Sequence, residues 1–256
     1  MLECNDQRSG NAPMEECMAD ESDLLTRIHY QLGAEERIGF ATDPIRVEIG
    51  DNTVRLQGEV PTVAAKRLAR RRTQAVADGY EVVDELVVIP AKDMTDDEIR
   101  DAVAHALLQE SALAECRLYQ MARSQKQTLR DVPGSGPGQI MLQVADGVVE
   151  LSGRLSSHEH RRLAGVLAWW VPGTRDVRNA IEVDLPERDS DAQLTDAIRL
   201  ALEKDPFITS DQVKIFSERG IVRLQGMLGS DAEREMAEAD TWFVEGVDDV
   251  VNQIRC

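Results

Sequence analysis

The sequence has 256 residues, of which 42% are hydrophobic and 30% charged, and its formal net charge is −18. This length exceeds that of a typical single domain, and no apolar run approaches the roughly 18 residues needed to span a bilayer. The acidic charge repels phosphate backbones, so no nucleic-acid partner is predicted.

Residues 1–19 are polar and predict a disordered leader. They show neither a basic n-region nor an apolar h-region, so no signal peptide is predicted and the expected location is the cytoplasm. A longer native N-terminus with an export signal would instead make the protein periplasmic or envelope-associated. The four cysteines lie far apart, which favours free thiols.

A repeated pattern organises the rest of the chain. A Val-x-Leu-x-Gly segment occurs three times and ends at Gly58, Gly153 and Gly226. Eleven residues before these glycines lie Val47, Leu142 and Ile215, and twenty-four residues after them lie Val82, Val177 and Val250. The fixed offsets predict three tandem modules, at residues 20–90, 95–186 and 190–256.

Each module begins with a predicted helix. Apolar residues at four-residue spacing, such as Leu24, Ile28 and Leu32, line one face of it. The predicted N-caps of the three first helices are Asp20, Thr95 and Ser190, and the last two belong to capping boxes.

A β-hairpin follows each first helix, because alternating apolar residues flank a tight turn. Asp146-Gly147 and Arg219-Gly220 supply the positive φ that such turns need, and the first module uses Gly50-Asp51-Asn52. A second helix, capped by Thr62, Ser157 or Ser230, and a last strand complete the module. The predicted class is α+β, with an α-β-β-α-β order and two helices on one face of a three-stranded sheet. Modules this small are expected to pack against one another.

The second module carries an insertion at about residues 111–138. Residues 113–129 are predicted to extend the first helix, and the glycine- and proline-rich end, residues 133–138, is interpreted as a spacer.

The element order, the glycine closing the second strand, and the final Gly246-Val247-Asp248-Asp249-Val250-Val251-Asn252 resemble the BON domain over about residues 20–256. Gly173 matches Gly246 in the second module, whereas the first has Asp78 there and Gly79 one place later. The resemblance implies bacterial envelope-associated or osmotic-stress proteins. For some members it implies anionic phospholipid binding, and for a BON domain joined to another module, potassium sensing.

A dense basic cluster lies on the second helix of the first module: Lys66, Arg67, Arg70, Arg71 and Arg72. We interpret it as a solvated face that partly pairs with the neighbouring acidic modules. The alternative is contact with an anionic lipid head group or an acidic protein partner. In the lipid alternative, basic residues of the insertion also take part: Arg117, Arg123, Lys126 and Arg130.

Three tryptophans lie near the ends of second helices. Trp170 aligns with Ala75 and Phe243 and is predicted to lie in the core. Trp169 and Trp242 align with Gln74 and are expected to be partly exposed interface residues. Packing between repeats is favoured over an external partner.

No catalytic, cofactor or metal site is predicted, because the three modules share no polar residue beyond cap and turn positions. His158 and His160 point apart on a helix and lack a third ligand. The leading hypothesis is a non-enzymatic tandem binding or scaffolding protein of a stress response. The alternatives are peripheral binding of anionic phospholipid and cation (potassium) sensing, the latter from the acidic third module, in which residues 187–256 have eight basic and sixteen acidic side chains.

Overall fold

The computed structural model describes residues 12–40, 45–50, 52–123, 125–134, 138–184 and 190–256. These residues form six α-helices and eleven β-strands. The helices are α1 Ala12–Ala34, α2 Val63–Gln74, α3 Asp96–Gln109, α4 His158–Trp169, α5 Asp191–Lys204 and α6 Asp231–Phe243. The strands are β1 Arg46–Ile49, β2 Thr53–Val60, β3 Glu81–Val88, β4 Arg117–Ala122, β5 Gln125–Arg130, β6 Gly138–Ala145, β7 Val148–Leu155, β8 Asp176–Val183, β9 Val213–Glu218, β10 Ile221–Met227 and β11 Asp249–Arg255.

The first and third modules have the predicted α-β-β-α-β order, and the second has the same order with two additional strands after its first helix, which confirms the α+β class. The hairpin strands pair antiparallel, and the last strand of the module returns parallel to the second. The register is the same in all three modules, because Val54 pairs with Val82, Val149 with Val177 and Val222 with Val250. The Val-x-Leu-x-Gly segment therefore forms the central strand of each three-stranded unit.

Local sequence explains where the helices begin. Thr95 and Ser190 form the predicted capping boxes at α3 and α5. The hydroxyls of Thr62, Ser157 and Ser230 accept hydrogen bonds from backbone N–H groups in the first turns of α2, α4 and α6. At the hairpin turns, Asp146, Gly147, Arg219 and Gly220 all have positive φ.

The start of the chain differs from the prediction. The first helix begins at Ala12, inside the stretch 1–19 that was predicted to be disordered, and it runs through Asp20. Asp20 is therefore not an N-cap. Residues 1–11 lie outside the described residues.

The insertion in the second module is not a helical extension. It forms the β4–β5 hairpin, and β4 pairs parallel with β6, so that the sheet has five strands in the order β5-β4-β6-β7-β8. The prediction of a three-stranded sheet is therefore correct for the first and third modules only. Residues 135–137 of the predicted spacer lie outside the described residues.

In the first module, the closing turn has a local shift that accommodates a glycine lying one position later than in the other modules. Gly79 takes a positive φ, and the N–H of Glu81 bonds to the carbonyl of Asn52. In the second module the equivalent bond comes one residue earlier, from Arg175 to Gly147. Because β3 still pairs in the common register, the shift is confined to the turn.

Buried apolar residues form two clusters. One joins the first and third modules and includes Val166 from α4, while the other belongs to the second module. Among the described residues, no helix is long and apolar enough to cross a membrane.

Candidate functional site

A polar cleft of about 530 Å³ opens where the three modules meet. Its walls come from α2, α4, the turn after α6, and β3 and β8. Six basic side chains line it against four acidic ones, so the cleft carries a basic excess in an acidic protein. The basic residues are Lys66, Arg67, Arg70, Arg71, Arg161 and Arg162, and the acidic ones are Asp84, Asp176, Glu245 and Asp248.

Lys66 is buried at the junction of the first and second modules. Its ammonium group lies 3.0 Å from the Asp84 carboxylate and 3.4 Å from that of Asp176 on β8. Burial raises the pKa of Asp176, and the nearby Lys66 opposes that shift. Lys66 thus ties α2 both to its own sheet and to the sheet of the second module.

Arg67 reaches the turn that follows α6. Its guanidinium donates to the carbonyls of Val244 and Val247 at 2.6 and 2.9 Å, and more weakly to that of Phe243 at 3.4 Å. A cation at the C-terminal end of a helix is stabilised by the exposed carbonyl dipoles. Desolvation lowers the pKa of Arg67 to about 10, and the side chain remains charged at neutral pH.

The rest of the predicted basic cluster divides into bonded and free side chains. Arg71 pairs with Asp249 at 2.8 Å, and Arg72 pairs with Glu35 at 2.6 Å. Arg37 contacts the same two carboxylates, at 3.1 Å from Asp249 and 2.8 Å from Glu35. Arg70 is exposed on the cleft wall and has no hydrogen bond or ion pair within the described part of the chain.

The second module also contacts the turn after α6. Arg161 pairs with the Glu245 carboxylate at 2.6 Å, and Arg162 donates to the Glu245 carbonyl at 2.8 Å. Arg162 occupies the position in its module that Arg67 occupies in the first, nine residues after the repeated glycine. Equivalent arginines from two modules therefore meet one turn of the third.

Trp169 and Phe243 separate this cleft from a second one. Their rings stack with centroids 6.0 Å apart and an 11° angle between the ring planes. Behind them lies a mainly apolar groove of about 530 Å³, with walls that include Pro61, Ile89 and Trp242. The junction of the modules thus has a polar side and an apolar side.

The tryptophans differ in part from their predicted environments. Trp169 is half-buried, whereas Trp242, expected to be partly exposed, is only 3% exposed. Trp170, expected in the core, is half-buried, and its indole N–H donates to Asp240 at 2.8 Å. Because Asp240 lies on α6, this bond joins the second and third modules. Trp170 therefore lies at an interface rather than within one core.

One repeated polar contact was missed in the sequence. Asn179 and Asn252 occupy equivalent positions, and their amides donate to the carbonyls of Arg161 and Arg234, at 2.7 and 3.2 Å. In the first module, Asp84 lacks a donor there, and Lys66 supplies the bond from the other side. Two of the three modules therefore share a polar residue beyond caps and turns, and the first has a different polar contact at the same position. Aligning residues 84, 179 and 252 with 66, 161 and 234 could have revealed this pair.

The motif glycines have steric roles. A Cβ on Gly153 or Gly226 would lie 2.2 or 2.0 Å from the backbone carbonyl oxygen of Gln139 or Gln212, and both glycines have positive φ. Gly58 has φ of 134°. A Cβ on Gly173 would lie 2.6 Å from Met94, and Gly246 has positive φ and faces Arg162. These glycines permit close contacts that no other residue allows.

The basic residues of the insertion mostly bond within the module. Arg130 donates to the carbonyls of Leu107 and Leu108 at the end of α3, and Arg117 donates to that of Val132. Lys126 lies 3.7 Å from the centre of the Tyr119 ring. Arg123 is exposed in the hairpin turn. Arg123 and Lys126 are both exposed and therefore accessible to an external ligand.

Taken together, the architecture is that of a three-module α+β protein whose modules share a ligand-sized cleft. The BON-domain family model matches residues 20–90, 121–184 and 190–256, and the chain belongs to this family.

One curated relative is osmotically-inducible protein Y of Escherichia coli strain K12, which is 30% identical over 122 residues. That match covers 45% of this chain and 61% of the relative, so the chain spans about three fifths of the relative's length.

Two solved structures of CdsD, a structural protein of the type III secretion system of Chlamydia trachomatis, are also similar at 15% identity. One is the C-terminal domain, and the alignment covers 86% of this chain and 95% of that chain with a TM-score of 0.23. For the other, the coverage is 91% of each chain and the TM-score is also 0.23.

Proposed function

We propose that the three modules act as one non-enzymatic binding body in a stress response, and that the polar cleft is its recognition site. The stress role is supported by the similarity to osmotically-inducible protein Y. The cleft is supported as the site by one observation: six basic side chains converge there against four acidic ones in a chain with net charge −18. A cleft of this size suits a small ligand or a head group.

The ligand best matched to the cleft carries an anionic group such as a phosphate. Lys66, Arg67 and Arg71 already bond to groups of the protein, so they position the walls and set the local potential. Arg70 is exposed and uncommitted within the described residues, which makes it the residue best placed to contact the ligand. A free phosphate and the head group of an anionic lipid share this chemistry.

The test compares the full chain with two charge-matched variants. Arg70→Glu changes the cleft, whereas Arg255→Glu changes an exposed residue at the far end of β11 by the same charge. Each protein is titrated with inorganic pyrophosphate by calorimetry and co-sedimented with phosphatidylglycerol and with neutral vesicles.

We expect the wild type to bind the anion. Arg70→Glu should weaken this binding about tenfold or more, and Arg255→Glu should leave it nearly unchanged. Binding to pyrophosphate indicates a free anion as ligand, and binding to anionic vesicles alone indicates a lipid head group. Equal weakening in both variants, or no binding at all, contradicts a cleft site for anions.

Two further points stay predictions. The first is the cytoplasmic location of the protein, and the second is the alternative function of potassium sensing. A potassium titration that gives neither heat nor a change in melting temperature would remove the latter.

A further inference from the structure

The third module leaves one edge of its sheet open. Strand β9 pairs with β10 on one side, and within the described residues it has no strand on the other. In the second module the equivalent strand β6 has β4 on that side. The chain thus provides, in its own insertion, an example of an additional strand on this edge.

Comparing the two edges reveals what a covering strand does. Leu142 on β6 is fully buried, whereas the equivalent Ile215 on β9 is only half-buried. Phe216, on the outer face of β9, is 51% exposed. An added strand at β9 would therefore pair free backbone groups and bury apolar surface together.

The hairpin geometry determines which backbone groups of β9 are free. Arg219 and Gly220, with φ of 50° and 76°, form a two-residue turn, so the flanking Glu218 and Ile221 are a hydrogen-bonded pair. By alternation, residues 214, 216 and 218 bond to β10. The N–H and carbonyl groups of residues 215 and 217 therefore point to the open edge, whereas the N–H of Val213 already donates to the carbonyl of Ser210.

From this geometry we infer that β9 is a self-association edge, at which the β9 strands of two copies of this chain pair antiparallel. Only registers that place odd-numbered residues opposite odd-numbered residues can form the bonds. One of them places Phe216 opposite Phe216 of the second copy and Lys214 opposite Glu218 of the second copy, twice by symmetry. The outer face of the strand is thus complementary to itself in charge.

The register also puts the aromatic contact where strands approach most closely. Phe216 falls in a non-hydrogen-bonded pair, in which opposing side chains are nearest. Registers shifted by one residue in each copy oppose Lys214 to Phe216, or Phe216 to Glu218, and lose the charge pairing. Charge complementarity therefore favours pairing of β9 with a second β9 strand, and it favours this register over the shifted ones.

The test uses charge exchange at Lys214 and Glu218, which are both exposed and have no bonded partner in the described part of the chain. The single variants Lys214→Glu and Glu218→Lys are measured separately and as an equimolar mixture. A double variant that carries both substitutions is measured as well. Sedimentation velocity over a wide range of concentration gives the association state of each. Arg46→Glu, an exposed change on the shorter open strand β1, is the control.

The wild type is expected to dimerise with increasing concentration. Each single variant should weaken dimerisation roughly tenfold or more, because like charges are then opposed at two places. Mixing the two single variants should restore a dimer, as should the double variant, and Arg46→Glu should dimerise normally. A wild type that stays monomeric, a dimer that neither single variant weakens, or loss of the dimer in Arg46→Glu overturns the proposal. Circular dichroism confirms that each variant is folded.

Discussion

The first and second modules contact the third in different ways. The first module shares a buried apolar cluster with the third and also extends charged side chains to it, namely Arg67 to carbonyl groups and Arg71 and Arg37 to Asp249. The second module contacts the third through two arginines and also through two aromatic side chains. Trp169 stacks on Phe243, and Trp170 donates a hydrogen bond to Asp240. The charged junction should respond to ionic strength, and the packed junction to side-chain shape and to pH.

The largest expected effect follows removal of the central ring at the packed junction. Trp169→Ala loses the stack on Phe243 and the wall between the two clefts, and we expect it to lower the free energy of unfolding by about 2–4 kcal/mol. Urea unfolding of the full chain measures the change. Trp169→Phe keeps an aromatic ring and should lose less than half as much. A loss below about 0.5 kcal/mol in Trp169→Ala would show that the stack does not hold the modules together.

A smaller effect is expected at the charged junction. Asp249→Asn weakens the pairs with both Arg71 and Arg37, and we expect a loss of about 1 kcal/mol at low salt that largely disappears at high salt. Unfolding at two salt concentrations gives the comparison. Asp231→Asn, which affects an exposed pair with Arg234 inside α6, is the control and should change stability by less than about 0.5 kcal/mol. A loss in Asp249→Asn that persists at high salt would contradict this interpretation.

The module fold was predictable because its signals are local. Apolar alternation and the N-caps of the second helices occur at the same offsets in all three copies, and the positive-φ hairpin turns occur at the same offset in the second and third. The insertion was misread because its strand does not alternate in sequence: Leu118, Gln120 and Ala122 all face inward, and Gln120 is polar. Gln120 is accommodated because its amide bonds to Gln127 across the hairpin at 2.9 Å.

The contacts of the cleft were less predictable, for a physical reason. Arg67 bonds to backbone carbonyls about 176 to 180 residues further along the chain, and carbonyl groups leave no signature in side-chain identity. The basic cluster did predict pairing with other modules in general terms. Which arginine bonds and which stays free depends on how the modules pack, and that cannot be read from spacing on one helix.

The smallest effect at neutral pH, and the sharpest test of the packed junction, concerns Asp240. Burial and the neighbouring Asp205 carboxylate, opposed by the hydrogen bond from Trp170, raise the pKa of Asp240 to about 7, whereas its usual value is 3.8. The folded protein therefore holds a proton that the unfolded chain releases between these values. The stability contributed by this proton is fully present below about pH 4 and is lost as the pH rises through 7.

Asp240→Asn keeps an oxygen acceptor for the Trp170 indole but cannot ionise. We expect it to change stability at neutral pH by less than about 1 kcal/mol. The fall in melting temperature from about pH 5 to about pH 8 should be smaller in the variant than in the wild type. Thermal unfolding across this range measures the difference, with Asp231→Asn as the matched control because Asp231 is exposed. Parallel pH profiles for wild type and Asp240→Asn would show that Asp240 is ionised in the folded protein, and the difference between the two junctions would then be one of packing alone.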